Sequence, residues 1–443
     1  MNNQPAYVQR IAETAIYESI RNSFITAVLG SRRVGKSTLI FHFMNHHPDY
    51  KWVVLNMDLL MLRQRVAIGK LNEMIEEAAL QKIGEGKKIW VVIDEAQKCP
   101  ELFEQIKIIY DSWKDKNTIK FILTGSALLQ LHQLSAETLA GRIYLHYLHA
   151  FGLQETAQLL HPAVSMPSSS FFDLLQTVDH DQITERIKQW QPFQRILLSA
   201  LEEQLIWGGF PEVLLLKSSP AKQAYLSSYI QTYLEKDIRD IHHISDIHLY
   251  QNLMQIIAQQ TGSLRDDTKV LSVLNCSRNT LKKYRDYLSA TLLLKDIYPY
   301  IHSPLKRLAK SPKTYFLDNG LISYLTSIDD LDILQKTGLI GHRLENWFLK
   351  ELQIWLDCGT KRYQIYYWRT SGQVEVDFVV EKIPYVLPFE ITYSNKIDTK
   401  KIRNLKLFLK EVPNASYGFY IYMGNYHYDS ESRIHFLPAW LIG

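Results

Sequence analysis

Cysteine is scarce in this chain. Three residues in 443, Cys99, Cys276 and Cys358, lie far apart and make no metal-ligand spacing. That argues against a disulfide scaffold and for a reducing compartment. No apolar run approaches the length of about 20 residues that spans a bilayer, so no membrane partner is expected. Met1 to Arg10 holds no apolar segment of the signal-peptide kind, and the expected location is cytoplasmic. Low-complexity tracts and internal repeats are also missing. Strong charge of one sign is absent as well: at +4 the balance neither demands nor excludes a nucleic-acid partner, so any basic footprint has to be local.

What is present points first to a phosphate. Gly30-Ser31-Arg32-Arg33-Val34-Gly35-Lys36-Ser37 fits the spacing Gly-x4-Gly-Lys-Ser/Thr. Phe24 to Leu29 before it reads as a strand, and Thr38 to Asn45 after it as the first turns of a helix. A loop in that context presents successive backbone N–H groups and the positive end of a helix to phosphate oxygens. Residues Gly30 to Thr38 are therefore the expected nucleotide site. Lys36 is placed to reach the β- and γ-phosphates of ATP, and the Ser37 hydroxyl to complete a Mg²⁺ shell.

The stretches Trp52 to Asn56, Ile89 to Ile93 and Ile119 to Leu123 are further apolar candidates for buried strands. Helical stretches separate them: Leu59 to Gln81, then Leu102 to Trp113. Gln9 to Arg21 reads as a lead-in helix. This alternation predicts a mostly parallel α/β sheet with its ligand at the carboxyl ends of the strands. Four polar residues stand there. Asp94 is expected to bind Mg²⁺, Glu95 to take a proton from an attacking water, and Thr124, with Ser126, to orient that water or sense the γ-phosphate.

Farther on, Trp207-Gly208-Gly209-Phe210-Pro211-Glu212 reads as a structural turn between helices, and Lys236, Asp237, Arg239 and Asp240 as an ion-paired cluster. Leu249 to Gln259, Val270 to Leu274 and Arg278 to Ser289 are three helical pieces, followed by strand-like Ala290 to Tyr300. That order suggests a helix-turn-helix with a wing. Arg278, Lys282, Lys283 and Arg285 on the third helix, with Lys306 and Arg307 beyond it, are the candidate contacts to DNA.

A family resemblance rests on these same residues. Gly30 to Ser37, Val92-Ile93-Asp94-Glu95-Ala96-Gln97 and Leu123-Thr124-Gly125-Ser126-Ala127 resemble the Walker A, Walker B and sensor regions of AAA-type P-loop ATPases. The whole chain resembles the prokaryotic ATPases of AAA-14 plus DUF4143 architecture. Leu139-Ala140-Gly141-Arg142 is similar to a motif of that family, which implies that Arg142 acts as a sensor or arginine finger toward a bound or neighbouring nucleotide. The segment from Gly341 to Thr392 resembles the core of restriction-type nucleases. That resemblance implies a second divalent site made by Glu345, Asp377 and Glu390, with Thr392 standing where such nucleases carry lysine. Lys396, Lys400 and Lys401 lie nearby in the sequence.

The resulting expectation is an α/β chain in four parts: a P-loop ATPase domain over 1–160, a linker and helical region over 161–240, a winged-helix-like region over 241–313, and a small nuclease-like α/β domain over 314–443. Its function is expected to be Mg-dependent ATP hydrolysis that controls a DNA- or protein-interacting half. The alternatives are a nucleotide-gated nucleic-acid binder or nuclease, and a non-enzymatic interaction switch working through a protein partner or a homo-oligomer.

Overall fold

The computed structural model describes residues 7–114, 116, 118–125, 139–167, 180–234, 246–301, 303–358, 363–382 and 385–443. Ser126 and the cluster Lys236, Asp237, Arg239 and Asp240 lie outside them. The chain divides into two compact units, the first built on residues up to 150 and the second on those from 151.

Five strands form the sheet of the first unit: β1 (Ile25–Leu29), β2 (Lys51–Asn56), β3 (Ile89–Asp94), β4 (Ile119–Gly125) and β5 (Ile143–Tyr147). Their order is β2-β3-β4-β1-β5, and every neighbouring pair is parallel. Every residue of β1 and β4 is buried, as are the first five of β3. These uniformly apolar runs fill the middle of a sheet covered on both faces. The unit's helices include α1 (Glu13–Asn22), α2 (Lys36–Asn45), α3 (Leu60–Ala67), α4 (Leu71–Ala79) and α5 (Glu101–Trp113). Leu59 to Gln81, expected as one helix, is two, because the chain leaves helical geometry between Ile68 and Lys70. Strand β5 is not assigned from the sequence. It lies at the edge with no fully buried position, so it lacks the apolar run that marks the central strands.

The second unit begins with helices between Leu153 and Tyr233. Three more follow: α6 (Ile247–Gln259), α7 (Asp267–Leu274) and α8 (Arg278–Ala290). An eight-stranded mixed sheet is made of β6 (Leu294–Pro299), β7 (Lys313–Phe316), β8 (Gln364–Arg369), β9 (Glu375–Lys382), β10 (Tyr385–Ile391), β11 (Gly418–Tyr422), β12 (His427–Asp429) and β13 (Ile434–Pro438). Its order is β12-β13-β11-β10-β9-β8-β6-β7. Helix α9 (Ile340–Cys358) lays Leu344, Phe348 and Leu352 on one face, where Phe348 packs 5.6 Å from Phe378 and 5.2 Å from Phe389 between ring centroids. Helix α10 (Thr399–Glu411) covers the other face with Leu405, Phe408 and Leu409, Phe408 meeting Trp368 edge-on at 5.2 Å. Burying each such side chain contributes about 1.5–3 kcal/mol. The expected division at 313/314 falls inside β7. That strand pairs with β6, and β6 pairs in turn with β8, so the helical stretch and the C-terminal part share one sheet.

Candidate functional site

Because the five strands of the first unit are parallel, their carboxyl ends share one edge, and the Gly30–Ser37 loop leaves β1 at that edge to enter α2. The loop is a tight cradle. A Cβ on Gly30 would lie 2.2 Å from the Leu148 carbonyl oxygen, and Gly35 adopts a left-handed φ of +96° just before the helix begins. Only glycine meets both demands without strain. Val34 is fully buried and anchors the loop, whereas Arg33 and Thr38 are exposed. The Lys36 ammonium turns back onto the loop, donating to the carbonyls of Gly30 at 2.8 Å and Ser31 at 2.9 Å.

Asp94 ends β3 and binds two hydroxyls. Ser37 Oγ donates to Asp94 Oδ2 at 3.2 Å, and Thr124 Oγ1 at the end of β4 donates to Asp94 Oδ1. Glu95 takes a left-handed φ of +54°, its N–H donates to Asp94 Oδ1 at 3.2 Å, and its carboxylate accepts from Gln97 Nε2 at 2.6 Å. The structure thus brings Ser37, Asp94 and Thr124 together, with Glu95 adjoining. A hydroxyl beside a carboxylate is a hard-oxygen donor set that suits Mg²⁺, and the glycine cradle suits phosphate, so the residues fit MgATP.

Arg142 is not brought to this loop. It immediately precedes β5 at Ile143, which pairs with Ile25 at the start of β1, and so lies about 16 Å away along the strand from the loop end. There its guanidinium contacts Asp111 Oδ1 at 3.3 Å and lies 5.5 Å from the Tyr110 ring centroid. A residue that sequence reasoning passes over takes up a place at the loop instead. Arg10, buried in the lead-in segment, donates to the Val34 carbonyl at 2.8 Å and to the His149 carbonyl at 2.6 Å. A single arginine 20 residues ahead of the motif carries no pattern that would mark it.

In the second unit, Asp377 on β9 and Glu390 on β10 meet at one lysine, and Glu345 on α9 meets another. Lys401, the third residue of α10, contacts Asp377 Oδ2 at 2.6 Å and Glu390 Oε2 at 3.1 Å. Lys313 on β7 contacts Glu375 Oε1 at 2.5 Å and Glu345 Oε1 at 3.4 Å. Burial pushes the Asp377 carboxyl up, but Lys401 and Lys313 outweigh it and hold the group down at about 2. Burial and the neighbouring Asp377 push Glu390 well above the usual carboxylate range. Burial also works against the charge on Lys401, and Asp377 and Glu390 reverse that and hold its pKa up. The Thr392 hydroxyl is buried without a hydrogen-bond partner among the described residues. Among the described residues no group of three or more His, Cys, Asp or Glu side chains is arranged to hold a metal ion.

The candidate DNA contacts separate into two groups. Arg278, Lys282 and Lys283 are exposed on α8, and Lys306 is exposed beyond it. Arg285 is buried and pairs with Asp267 at 3.1 Å, since it falls on the same helical stripe as Leu281 and Leu288. Arg307 is engaged too. It donates to the Ile301 carbonyl from Nε at 3.0 Å and Nη2 at 2.7 Å, and to Tyr366 Oη at 2.6 Å. Neither arginine is free to meet a phosphate.

The Gly208-Gly209 turn is structural, as the sequence suggests. Asp318 Oδ2 accepts the Gly209 N–H at 2.7 Å, and its other oxygen accepts from the N–H groups of Gly320 at 2.9 Å and Leu321 at 3.3 Å. Lys350 donates to the Phe151 carbonyl at 2.7 Å and to Gln204 Oε1 at 2.9 Å. These distant motifs meet in one buried polar centre with satisfied partners.

Residues 22–157 match the family model described as an AAA domain, residues 198–348 a domain of unknown function (DUF8612), and residues 340–442 another (DUF4143). An uncharacterized protein of Mycobacterium tuberculosis is 24% identical over 434 residues, covering 97% of this chain and 83% of that protein. An uncharacterized protein of Methanocaldococcus jannaschii is 22% identical over 275 residues, covering 61% of this chain and 55% of the relative. Among solved structures, the Walker-type ATPase of Pyrococcus abyssi is similar at 16% identity and a TM-score of 0.45, covering 73% of this chain and 99% of its own. No helix among the described residues is long and apolar enough to cross a membrane. The family matches describe an AAA-type P-loop ATPase domain joined to a DUF4143 C-terminal region, with an uncharacterized domain between them.

Proposed function

We propose that the protein binds ATP with magnesium at Gly30 to Thr38 and hydrolyses it, and that the nucleotide state controls what the C-terminal half engages. The observation that carries this reading is the hydrogen-bonded set Ser37–Asp94–Thr124, drawn from the ends of three different elements onto one carboxylate beside the phosphate cradle. Lys36 exchanges two neutral carbonyls for phosphate oxygens, forming charge-assisted bonds. Thr124 keeps the Asp94 carboxylate oriented. Glu95 accepts the proton of the attacking water once its carboxylate leaves Gln97. Magnesium, held by Ser37 and Asp94, supplies the charge that offsets the phosphate oxygens. The match of residues 22–157 to an AAA domain supports the same reading.

For the engaged partner, the exposed set Arg278, Lys282 and Lys283 favours duplex DNA. It lies on the third helix of a helix–turn–helix order that leads into the β6–β7 pair.

The test combines nucleotide binding, turnover and DNA affinity. Lys36→Ala is expected to lose ATP binding. Glu95→Gln is expected to keep binding and lose about 10²–10⁴-fold in turnover, as removal of a general base does. Normal turnover by Glu95→Gln would reject the assigned base. DNA affinity that falls with salt and with Lys282→Ala/Lys283→Ala is expected, and indifference to both would remove DNA as the partner.

A further inference from the structure

We infer that the acid cluster of the C-terminal sheet is closed by two lysines of the chain itself and takes no divalent metal, with Lys401 filling the position between Asp377 and Glu390 and Lys313 the position between Glu345 and Glu375.

Each ammonium is positioned by its backbone. Helix α10 is capped by Asp398, whose carboxylate accepts from the N–H groups of Lys400 at 2.8 Å and Lys401 at 3.4 Å, so the register that aims Lys401 is fixed at the helix start. Its Nζ then meets three oxygens: Asp377 Oδ2 at 2.6 Å, the Ile391 carbonyl at 2.7 Å and Glu390 Oε2 at 3.1 Å. An ammonium has three protons, and all three are used. Lys313 lies on β7, and its ammonium reaches Glu375 at the start of β9 and Glu345 on α9.

The carboxylates have partners besides the lysines. Asp377 Oδ2 also accepts the Ile391 N–H at 2.9 Å. Glu390 Oε1 accepts Asn404 Nδ2 at 3.2 Å, Glu345 Oε1 accepts the Tyr315 hydroxyl, and Glu375 Oε2 faces Arg369 at 3.4 Å. A divalent ion would have to evict an ammonium from the carboxylates it pairs with, or else sit against it with like charge. Thr392 supplies no cation of its own, and the charge missing from the strand is delivered by α10 into the cluster's centre. The C-terminal half then works by binding and not by metal-dependent cleavage of a phosphodiester.

The experiment uses the full chain without nucleotide. Mn²⁺ uptake is measured by calorimetry and electron paramagnetic resonance for the native protein, Asp377→Asn and Glu345→Gln, alongside thermal unfolding with and without Mn²⁺. Equal uptake in all three and an unmoved native midpoint are expected, together with a lower midpoint for Lys401→Met. One additional Mn²⁺ in the native chain relative to both acid variants would overturn the inference. So would Mn²⁺-dependent DNA cleavage that disappears in Asp377→Asn, or a Lys401→Met chain that melts with the native one. Should Lys401→Met fail to fold, the native-against-acid-variant comparison still decides. Loss of this inference leaves the ATP reading intact, because Lys36 takes no part in the measurement.

Discussion

Two lysines define opposite ways of holding a positive charge in this molecule. Lys36 rests on two neutral carbonyls of its own loop. Lys401 rests on two carboxylates and a carbonyl. The first arrangement gives the ammonium carbonyl partners, and an arriving phosphate, being charged, forms a stronger bond with it than a carbonyl does. The second neutralises it, and withdrawing the lysine would leave buried acids uncompensated at a cost of about 3–5 kcal/mol. Similar side chains thus serve two ends: one is ready for a ligand, the other is spent on the fold.

A crossed pair of substitutions breaks this contrast if it is wrong. Lys36→Met should weaken ATP binding by about 100-fold or more while costing roughly 1 kcal/mol in stability, the scale of ordinary net hydrogen bonds. Lys401→Met should reverse the pattern, lowering stability by about 3 kcal/mol and leaving ATP affinity unchanged. Calorimetry and chemical unfolding of both variants check it, and equal destabilisation by the two would erase the distinction. Arg10 sharpens the ligand-ready side. Arg10→Ala should raise KM for ATP by about tenfold with a smaller change in kcat, and Arg10→Lys should recover part of it, because one of the two carbonyl bonds survives. The smallest expected effect is a slope. His435 is buried near His180, and burial first, then the second imidazole, lowers its pKa from 6.5 to about 4. Between those values the unfolded chain binds the extra proton, so stability falls as pH drops from about 6.5 toward about 4. His435→Phe should flatten that slope in pH-dependent thermal unfolding.

The sequence made the centre of the first sheet legible because β1, β3 and β4 are buried on both faces and therefore apolar throughout. The same logic located Asp94 and Thr124, polar residues that close such runs. Strand β5 escaped notice because an edge has no such run. Arg285 is legible by its spacing, since its distance from Leu281 and Leu288 places it on the buried stripe of α8 and away from a phosphate. Lys401 was named among three nearby lysines, but only the cap at Asp398 and the packing of Leu405 and Phe408 determine which of them turns inward. Arg142 carried a motif but not a location. Its place at the amino end of β5 comes from strand pairing, which no local string encodes.

The pairing of β6 with β8, through Tyr298 with Tyr366 and Pro299 with Tyr367, bears on how this chain can be cut and exchanged. A protease or an engineer working between the basic helix and the C-terminal part meets β6 and β7, two plies of the fabric that also holds the C-terminal strands. Grafting α8 into another scaffold would therefore require carrying the neighbouring strands along, and a fragment ending near residue 313 would expose a raw selvage inclined to stick to its own kind.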